Sequence, residues 1–402
     1  MTSSRRLFQP SRRSDVPPFE VMDVLDRVAV LRAAGRDVIS LCAGEPSGGA
    51  PTAVSHAAAA VHASGQALTY TSALGIRPLR EALAGHYRRW YGLEVDPARV
   101  AVTTGSSGGF MLAFLAAFDA GDRVALARPG YPAYRNILAA LGCEVVEIDC
   151  GPEVRFQPTP ELLEAAHREA PLTGLIVASP ANPTGTMVDR AELTAITAWC
   201  AANGVRLVSD EIYHGVTYPE PGAPDPRGVC AWELDESAIV VSSFSKYWGM
   251  TGWRLGWLLL PEDLVRPVDA LAGNVALCPP APAQYAAVEA FTEDSYAECD
   301  EAVAEFARTR KLLLDHAPSL GWGTAAPADG AFYYYADLGG QLDCWPSSAA
   351  YASALLDREG VALTPGGDFD DRAGARSVRL SFAAGSAAVG EAIERIRRFH
   401  GG

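Results

Sequence analysis

Lysine is nearly absent from this 402-residue chain: of its 33 basic residues only two, Lys246 and Lys311, are lysine. Arginine supplies plain positive charge everywhere else, so each lysine needs a reason. An arginine keeps its proton and is a poor nucleophile, whereas a desolvated lysine amine loses its proton and can attack a carbonyl carbon. Lys311 lies in the charged helical stretch RTRKLLLDHA, while Lys246 lies in SSFSKYWGMTGWRLGW (242–257), an apolar, aromatic and Gly-punctuated run. Basic residues are outnumbered, 33 against 48 acidic ones. The formal net charge of −15 argues against nucleic acid or an anionic membrane as the main partner, since both select basic surfaces.

Paired cysteines are missing too. The eight cysteines (Cys42, Cys143, Cys150, Cys200, Cys230, Cys278, Cys299 and Cys344) are scattered, form no C-x-x-C pair and have no histidine at metal-ligand spacing. They are expected to be reduced structural thiols, with no metal site. No long hydrophobic run is present either. The longest helix-like one, FMLAFLAAF at 110–118, is too short to span a bilayer, and MTSSRRLFQPSRRSD has no apolar signal core. A cytoplasmic protein without membrane contact is expected.

What the chain does have is room and pattern. Its length allows a large and a small lobe, and 49% hydrophobic with 20% charged residues is ordinary for a folded protein. From about residue 100, short β-branched runs alternate with Ala/Leu-rich ones. RVAVTTG, DRVALARP, CEVVEIDC, GLIVASP, VRLVSD, AIVVSSFS and WRLGWLLL read as strands, with helices near 107–119, 133–141, 160–169, 188–203 and 262–273. Nearly continuous apolar strands with helical crossovers predict an α/β fold whose mostly parallel sheet is covered on both faces. The stretch 284–316 reads as a long helical connector, and FYYYADL, VALTPG, SVRLSFA and a helix at 386–399 as a smaller α+β lobe. The expected division is 46–290 for the large domain, with 1–45 and 291–402 together forming the small one.

Ligands of such sheets collect at the carboxyl ends of the strands, where the sequence places several polar groups. Together they offer what pyridoxal phosphate requires: a lysine for a Schiff base, an acid for the ring nitrogen, donors to the phenolic oxygen, an anion site and a flat wall. Asp210 in SDEIYHG ends a strand and suits the ring nitrogen, although a helix N-cap would use the same residue. Tyr213, three residues on, can donate to the phenolic oxygen or simply pack. Asn182 in SPANPTGT precedes Pro183, which rules out glycosylation and marks a turn; its amide can donate to that same oxygen. TTGSSGGF joins a strand to a helix expected to start near Ser107, so the N–H groups of Gly105, Ser106 and Ser107 can face a phosphate. Ser243, Ser245 and Arg254 add hydroxyls and a guanidinium. Tyr131 in RPGYPAY can stack on the ring or fill a turn.

S-x-S-K with arginine eight residues after the lysine, S-x-x-N-P-T-G and S-D-E-x-Y, in this order and spacing, resemble the class I/II aminotransferases of the pyridoxal-phosphate fold type I superfamily. The likeness runs from AGEP (43–46) through YTSALGIRPLREALAGHY (70–87) to VRLSFA (378–383). It implies that Lys246 carries the cofactor and then shuttles a proton, that Asp210, Asn182, Tyr213 and Tyr131 hold the ring, and that Ser106, Ser107, Ser243, Ser245 and Arg254 bind phosphate. It further implies a homodimer in which Tyr70 reaches the partner's phosphate site, and a cis bond before Pro183. Arg379 in SVRLSFA, assisted by backbone near Gly44, would receive the substrate carboxylate.

The implied activity is ping-pong transfer of an α-amino group to a 2-oxo acid. Relatives specific for dicarboxylates use an extra cation for the distal carboxylate. Here Ser107 occupies the phosphate turn and no Lys or Arg lies between Arg266 and Arg308, so a neutral donor is expected. The alternatives are a carbon–sulfur β-lyase on the same fold and a non-catalytic ligand sensor. The sensor would need a DNA-binding module before AGEP, where 15 to 40 residues are too few.

Overall fold

The computed structural model describes residues 10–401; residues 1–9 of the expected small domain lie outside it. The strands in chain order are β1 (Ile39–Ser40), β2 (Val100–Thr103), β3 (Arg123–Arg128), β4 (Glu144–Asp149), β5 (Gly174–Ala178), β6 (Arg206–Asp210), β7 (Ile239–Ser243) and β8 (Gly256–Leu259). Then come β9 (Tyr333–Asp337), β10 (Val361–Ala362), β11 (Thr364–Pro365) and β12 (Ser377–Ser381). The helices used below are α1 (Glu20–Ala33), α2 (Thr52–Ala63), α3 (Arg77–Tyr91), α4 (Gly105–Ala117) and α5 (Pro132–Leu141).

A seven-stranded sheet in the order β2-β8-β7-β6-β5-β3-β4 forms the frame. Only β8 runs against its neighbours. The near-continuous apolar strands have a simple cause in the period-2 pleat. Leu175, Val177, Leu207 and Val240 fall into one buried cluster. Their neighbours Ile176, Val208, Ile239 and Val241 fall into another. Both faces are therefore covered by helices, and neither can be polar.

Pairing register brings the strand ends together. Ala178 lies beside Asp210, which lies beside Val241; Ser243 pairs with Gly256, which pairs with Thr103. Because β8 is reversed, its beginning meets the ends of β2 and β7. The chain on either side of Lys246 thus meets the turn after β2 at one edge.

The remaining strands form two small sheets. β11-β12-β9 is antiparallel, and β1 pairs in parallel with β10, so the N-terminal segment joins the C-terminal part. Two expectations need correction. The helix after β2 starts at Gly105, not near Ser107, because Gly105 at φ +68° lets the chain turn directly from strand to helix. The expected long connector is broken. Ala281–Ala287 and a tight turn at Val288–Phe291 precede Glu293–His316, where the Thr292 side chain accepts from Ser295 N and caps a fresh start.

Candidate active site

A cavity of 440 Å³ opens where the strand ends of the large sheet face β9, β12 and the first turn of α1. Lys246, Asp210, Tyr213 and Asn182 line it from the large sheet, with Tyr131 from the start of α5 and Arg379 and Gly44 from the opposite side. Ser106, Ser107, Ser245 and Arg254 complete one end. Gly105 and Ser243 sit just behind that lining. Ser243 Oγ accepts from Ser245 N at 3.0 Å and donates to Leu255 O at 3.1 Å, so it orients Ser245 from beneath. Tyr70 stands outside the cavity, 78% exposed.

Lys246 Nζ donates to Gly44 O at 2.5 Å and lies 5.5 Å from the centre of the Tyr213 ring. Its pKa is lowered to about 8, first by burial and then by the Arg379 guanidinium; Glu45 and Asp210 partly offset this. A neutral amine is therefore accessible near neutral pH.

Asp210 does not cap a helix. Its Oδ1 accepts from Ile212 N at 3.1 Å, and its Oδ2 accepts from the Tyr134 hydroxyl. Burial raises its pKa to about 6, against the lowering effect of the Tyr134 bond and of Lys246. The carboxylate is mostly ionised at neutral pH and ready to face a cation. Tyr134, in the same RPGYPAY segment as Tyr131, escaped the sequence reading. So did Tyr333, whose hydroxyl meets that of Tyr213 at 2.6 Å.

Arg379 is 4% exposed. It donates through Nη1 to Asn182 Oδ1 and through Nη2 to Cys42 O, both at 2.8 Å. Its Cζ lies 4.5 Å from the Tyr333 ring centre and 4.7 Å from that of Phe369. Since a guanidinium only donates, the Asn182 amide is turned with its oxygen to Arg379, which leaves Nδ2 to donate elsewhere. The Asn182–Pro183 bond is cis. Arg379 Nε is buried with no partner among the described residues. An unmet buried donor is costly, and an incoming carboxylate would satisfy it.

The anion end is equally specific. No side chain caps α4, so its first N–H groups stay available beside Ser106 and Ser107. Arg254, in the left-handed region at φ 53°, lays its guanidinium against Gly105. A Cβ at Gly105 would lie 2.8 Å from Arg254 Cζ, so only glycine admits this approach. Uncapped N–H groups, hydroxyls and a guanidinium at one end, a buried carboxylate in the middle and an amine between them fit pyridoxal phosphate. Among the described residues no group of three His, Cys, Asp or Glu is placed to hold a metal ion, and no helix is long and apolar enough to cross a membrane.

A mostly parallel sheet with these groups at its strand ends defines, by class, a pyridoxal-phosphate-dependent transferase. The chain belongs to the aminotransferase class I and II family, whose model matches residues 36–396. It is 54% identical over 384 residues to the valine–pyruvate aminotransferase of Mycobacterium tuberculosis, with 96% of each chain covered. The crystal structure of an aminotransferase from Mycobacterium tuberculosis superposes with a TM-score of 0.93 at 53% identity, covering 98% of this chain and 99% of that one. An aspartate/prephenate aminotransferase of Thermus thermophilus is 34% identical, with 96% of each chain covered. The protein is thus an aminotransferase that uses pyridoxal phosphate to pass an amino group from an amino acid to a 2-oxo acid.

Proposed function

We propose that the donor is a neutral aliphatic amino acid of valine type and the acceptor a small neutral 2-oxo acid such as pyruvate. One observation carries this reading: how the cavity's charges are arranged. Among the described residues its only cations are Lys246, Arg254 and Arg379, and each is claimed, by the reacting carbon, the phosphate and the α-carboxylate. On the side of α1 the wall is Phe19, Val21, Met22 and Leu25, and the acids Glu45 and Asp368 also line the cavity. A distal carboxylate would meet apolar and acidic groups there. The name of the mycobacterial relative points the same way.

In this reading Ser106, Ser107, Ser245 and Arg254 would hold the cofactor's phosphate, aided by the Gly105 turn, and Ser243 keeps Ser245 in place. Asp210 would pair with the ring nitrogen, Asn182 Nδ2 and the Tyr213 hydroxyl would donate to the phenolic oxygen, and Tyr131 would flank the ring. The bound cofactor supplies an aldehyde carbon for the amino group and a protonated ring that takes up the electron pair left at the substrate Cα. Arg379 receives the α-carboxylate and so points the Cα–H bond toward Lys246. Lys246 Nζ, once free and neutral, removes that proton and holds it for return during the same half-reaction. The two substrates use the site in turn, which makes the kinetics ping-pong.

The same reading includes a homodimer. Tyr70 is exposed on a face that also bears exposed Leu68, Leu277 and Tyr285. Thr71, its neighbour, ties this strip to 278–284 by bonds to Cys278 Sγ and Gln284. An apolar face of this kind suits a second copy of the chain. Sedimentation is expected to show one species of twice 42.5 kDa, and a lone monomer at assay concentration would remove the role given to Tyr70.

A donor panel with pyruvate as acceptor tests the substrate. Aspartate is expected to have a kcat/KM about a hundredfold below that of valine, because its distal carboxylate would be buried unpaired. Equal values would refute the neutral-donor reading. The lyase alternative gains no support from the relatives, which are aminotransferases by name.

A further inference from the structure

The apolar wall is the first turn of α1, and that turn lacks a cap of its own: Phe19 stands at the N-cap and offers no side-chain acceptor. A residue almost 350 positions away supplies one. Glu20 N donates to Asp368 Oδ1 at 2.8 Å and Val21 N to Asp368 Oδ2 at 2.9 Å. The fit is close, for a Cβ at Gly367 would lie 3.2 Å from Glu20 Oε2. The residues around this cap hold the same loop against the cavity. Asp368 O accepts from Arg135 Nη2 at 2.9 Å, Phe369 O accepts from Gly130 N at 2.9 Å, and Asp370 accepts from Arg128 Nη1 at 2.9 Å. The Phe369 ring meanwhile lies against Arg379.

One short loop therefore fixes both the wall and the surroundings of Arg379. Phe19 stacks on Tyr131 with ring centres 6.2 Å apart and planes 11° from parallel. Val21 and Leu25 line the cavity from one side while packing on the small cluster around Val28 from the other. Met22, 52% exposed, stands at the rim.

We infer that Asp368 is a positioning residue for donor selectivity: its two oxygens hold the start of α1 where Val21 and Met22 in the first turn and Leu25 in the second can pack on a branched aliphatic side chain whose carboxylate sits on Arg379. The inference rests on the neutral-donor reading above. Alanine, whose side chain ends at Cβ, gains little from such a wall. Valine gains two methyl contacts, and each methyl or methylene buried in a fitted pocket changes kcat/KM by roughly tenfold or more. The carboxylate is needed rather than any polar group, since an amide in its place offers one acceptor to two N–H donors.

The test compares kcat/KM for valine and for alanine, with pyridoxal phosphate bound and one common oxo-acid acceptor, in the parent enzyme, Asp368→Asn and Met22→Ala. The parent is expected to favour valine. Asp368→Asn is expected to cut the valine-to-alanine ratio about tenfold, mainly through KM for valine. A general loss of stability would lower both donors together and leave the ratio alone. Met22→Ala changes an exposed side chain that the core does not need, and is expected to shift the ratio the same way, so it decides the matter if Asp368→Asn does not fold. A ratio within twofold of a valine-preferring parent in folded Asp368→Asn, or in Met22→Ala if Asp368→Asn does not fold, would overturn the inference and leave the donor reading intact. A parent that uses neither donor would overturn both.

Discussion

Lys246→Ala is expected to lower multiple-turnover transamination by about 10,000-fold, the upper range for a positioned proton-transfer group. Three features of the site make the effect large. The amine is one of only two in the chain, so no second lysine stands by to replace it. Burial and Arg379 lower its pKa to about 8, which places the neutral form within reach at working pH. Asp210, ionised above about pH 6, is assigned in the proposed mechanism to the ring nitrogen rather than to the proton at Cα. Added small amines should restore part of the rate, because the cavity that held the side chain would admit them. The measurement is steady-state turnover with valine and pyruvate, with and without methylamine. Full turnover without added amine would remove Lys246 from the mechanism.

Arg379→Lys is expected to reduce kcat/KM by roughly a hundredfold, about 3 kcal/mol, with most of the loss in KM. The substitution keeps the charge but not the fork. A lysine ammonium at this depth cannot reach Asn182 Oδ1, Cys42 O and a substrate carboxylate together, and it lacks the flat surface that rests on Tyr333 and Phe369. Asn182 would also lose the partner that turns its amide. Kinetics across donors sharing only the α-carboxylate should show the same loss for each. A loss confined to one side-chain class would place Arg379 with the selectivity wall instead.

The two variants act on groups that the sequence itself singled out, and this reflects a physical difference between kinds of site residue. Lys246, Asp210, Asn182 and Arg254 lie at strand ends or in short turns beside Gly and Pro, where chemistry and local structure are written in the same few residues. The sheet was equally readable, because burial on both faces forces an unbroken apolar run whatever the partner strand. Tyr134 was not readable. Its role depends on Asp210, 76 residues on, and a tyrosine beside Tyr131 looks like packing until the strands are paired. Asp368 was less readable still. It serves a helix that the chain left some 350 residues earlier, and nothing near GGDF marks it as a cap. The helix after β2 was misplaced for a local reason: Gly105 adopts φ +68°, a conformation that ends a strand and starts a helix within one residue. The break before Glu293 was visible in principle, since Thr292 with Ser295 is an N-cap pattern inside an otherwise helical run.

Reductive trapping asks directly whether Lys246 Nζ is the amine that carries the cofactor. The enzyme with pyridoxal phosphate bound is treated with borohydride, digested and mapped by mass. A phosphopyridoxyl group is expected on the peptide containing Lys246 and none on the peptide containing Lys311, which is exposed and paired with Asp315. A label on Lys311, or one divided between the two lysines, would contradict this assignment.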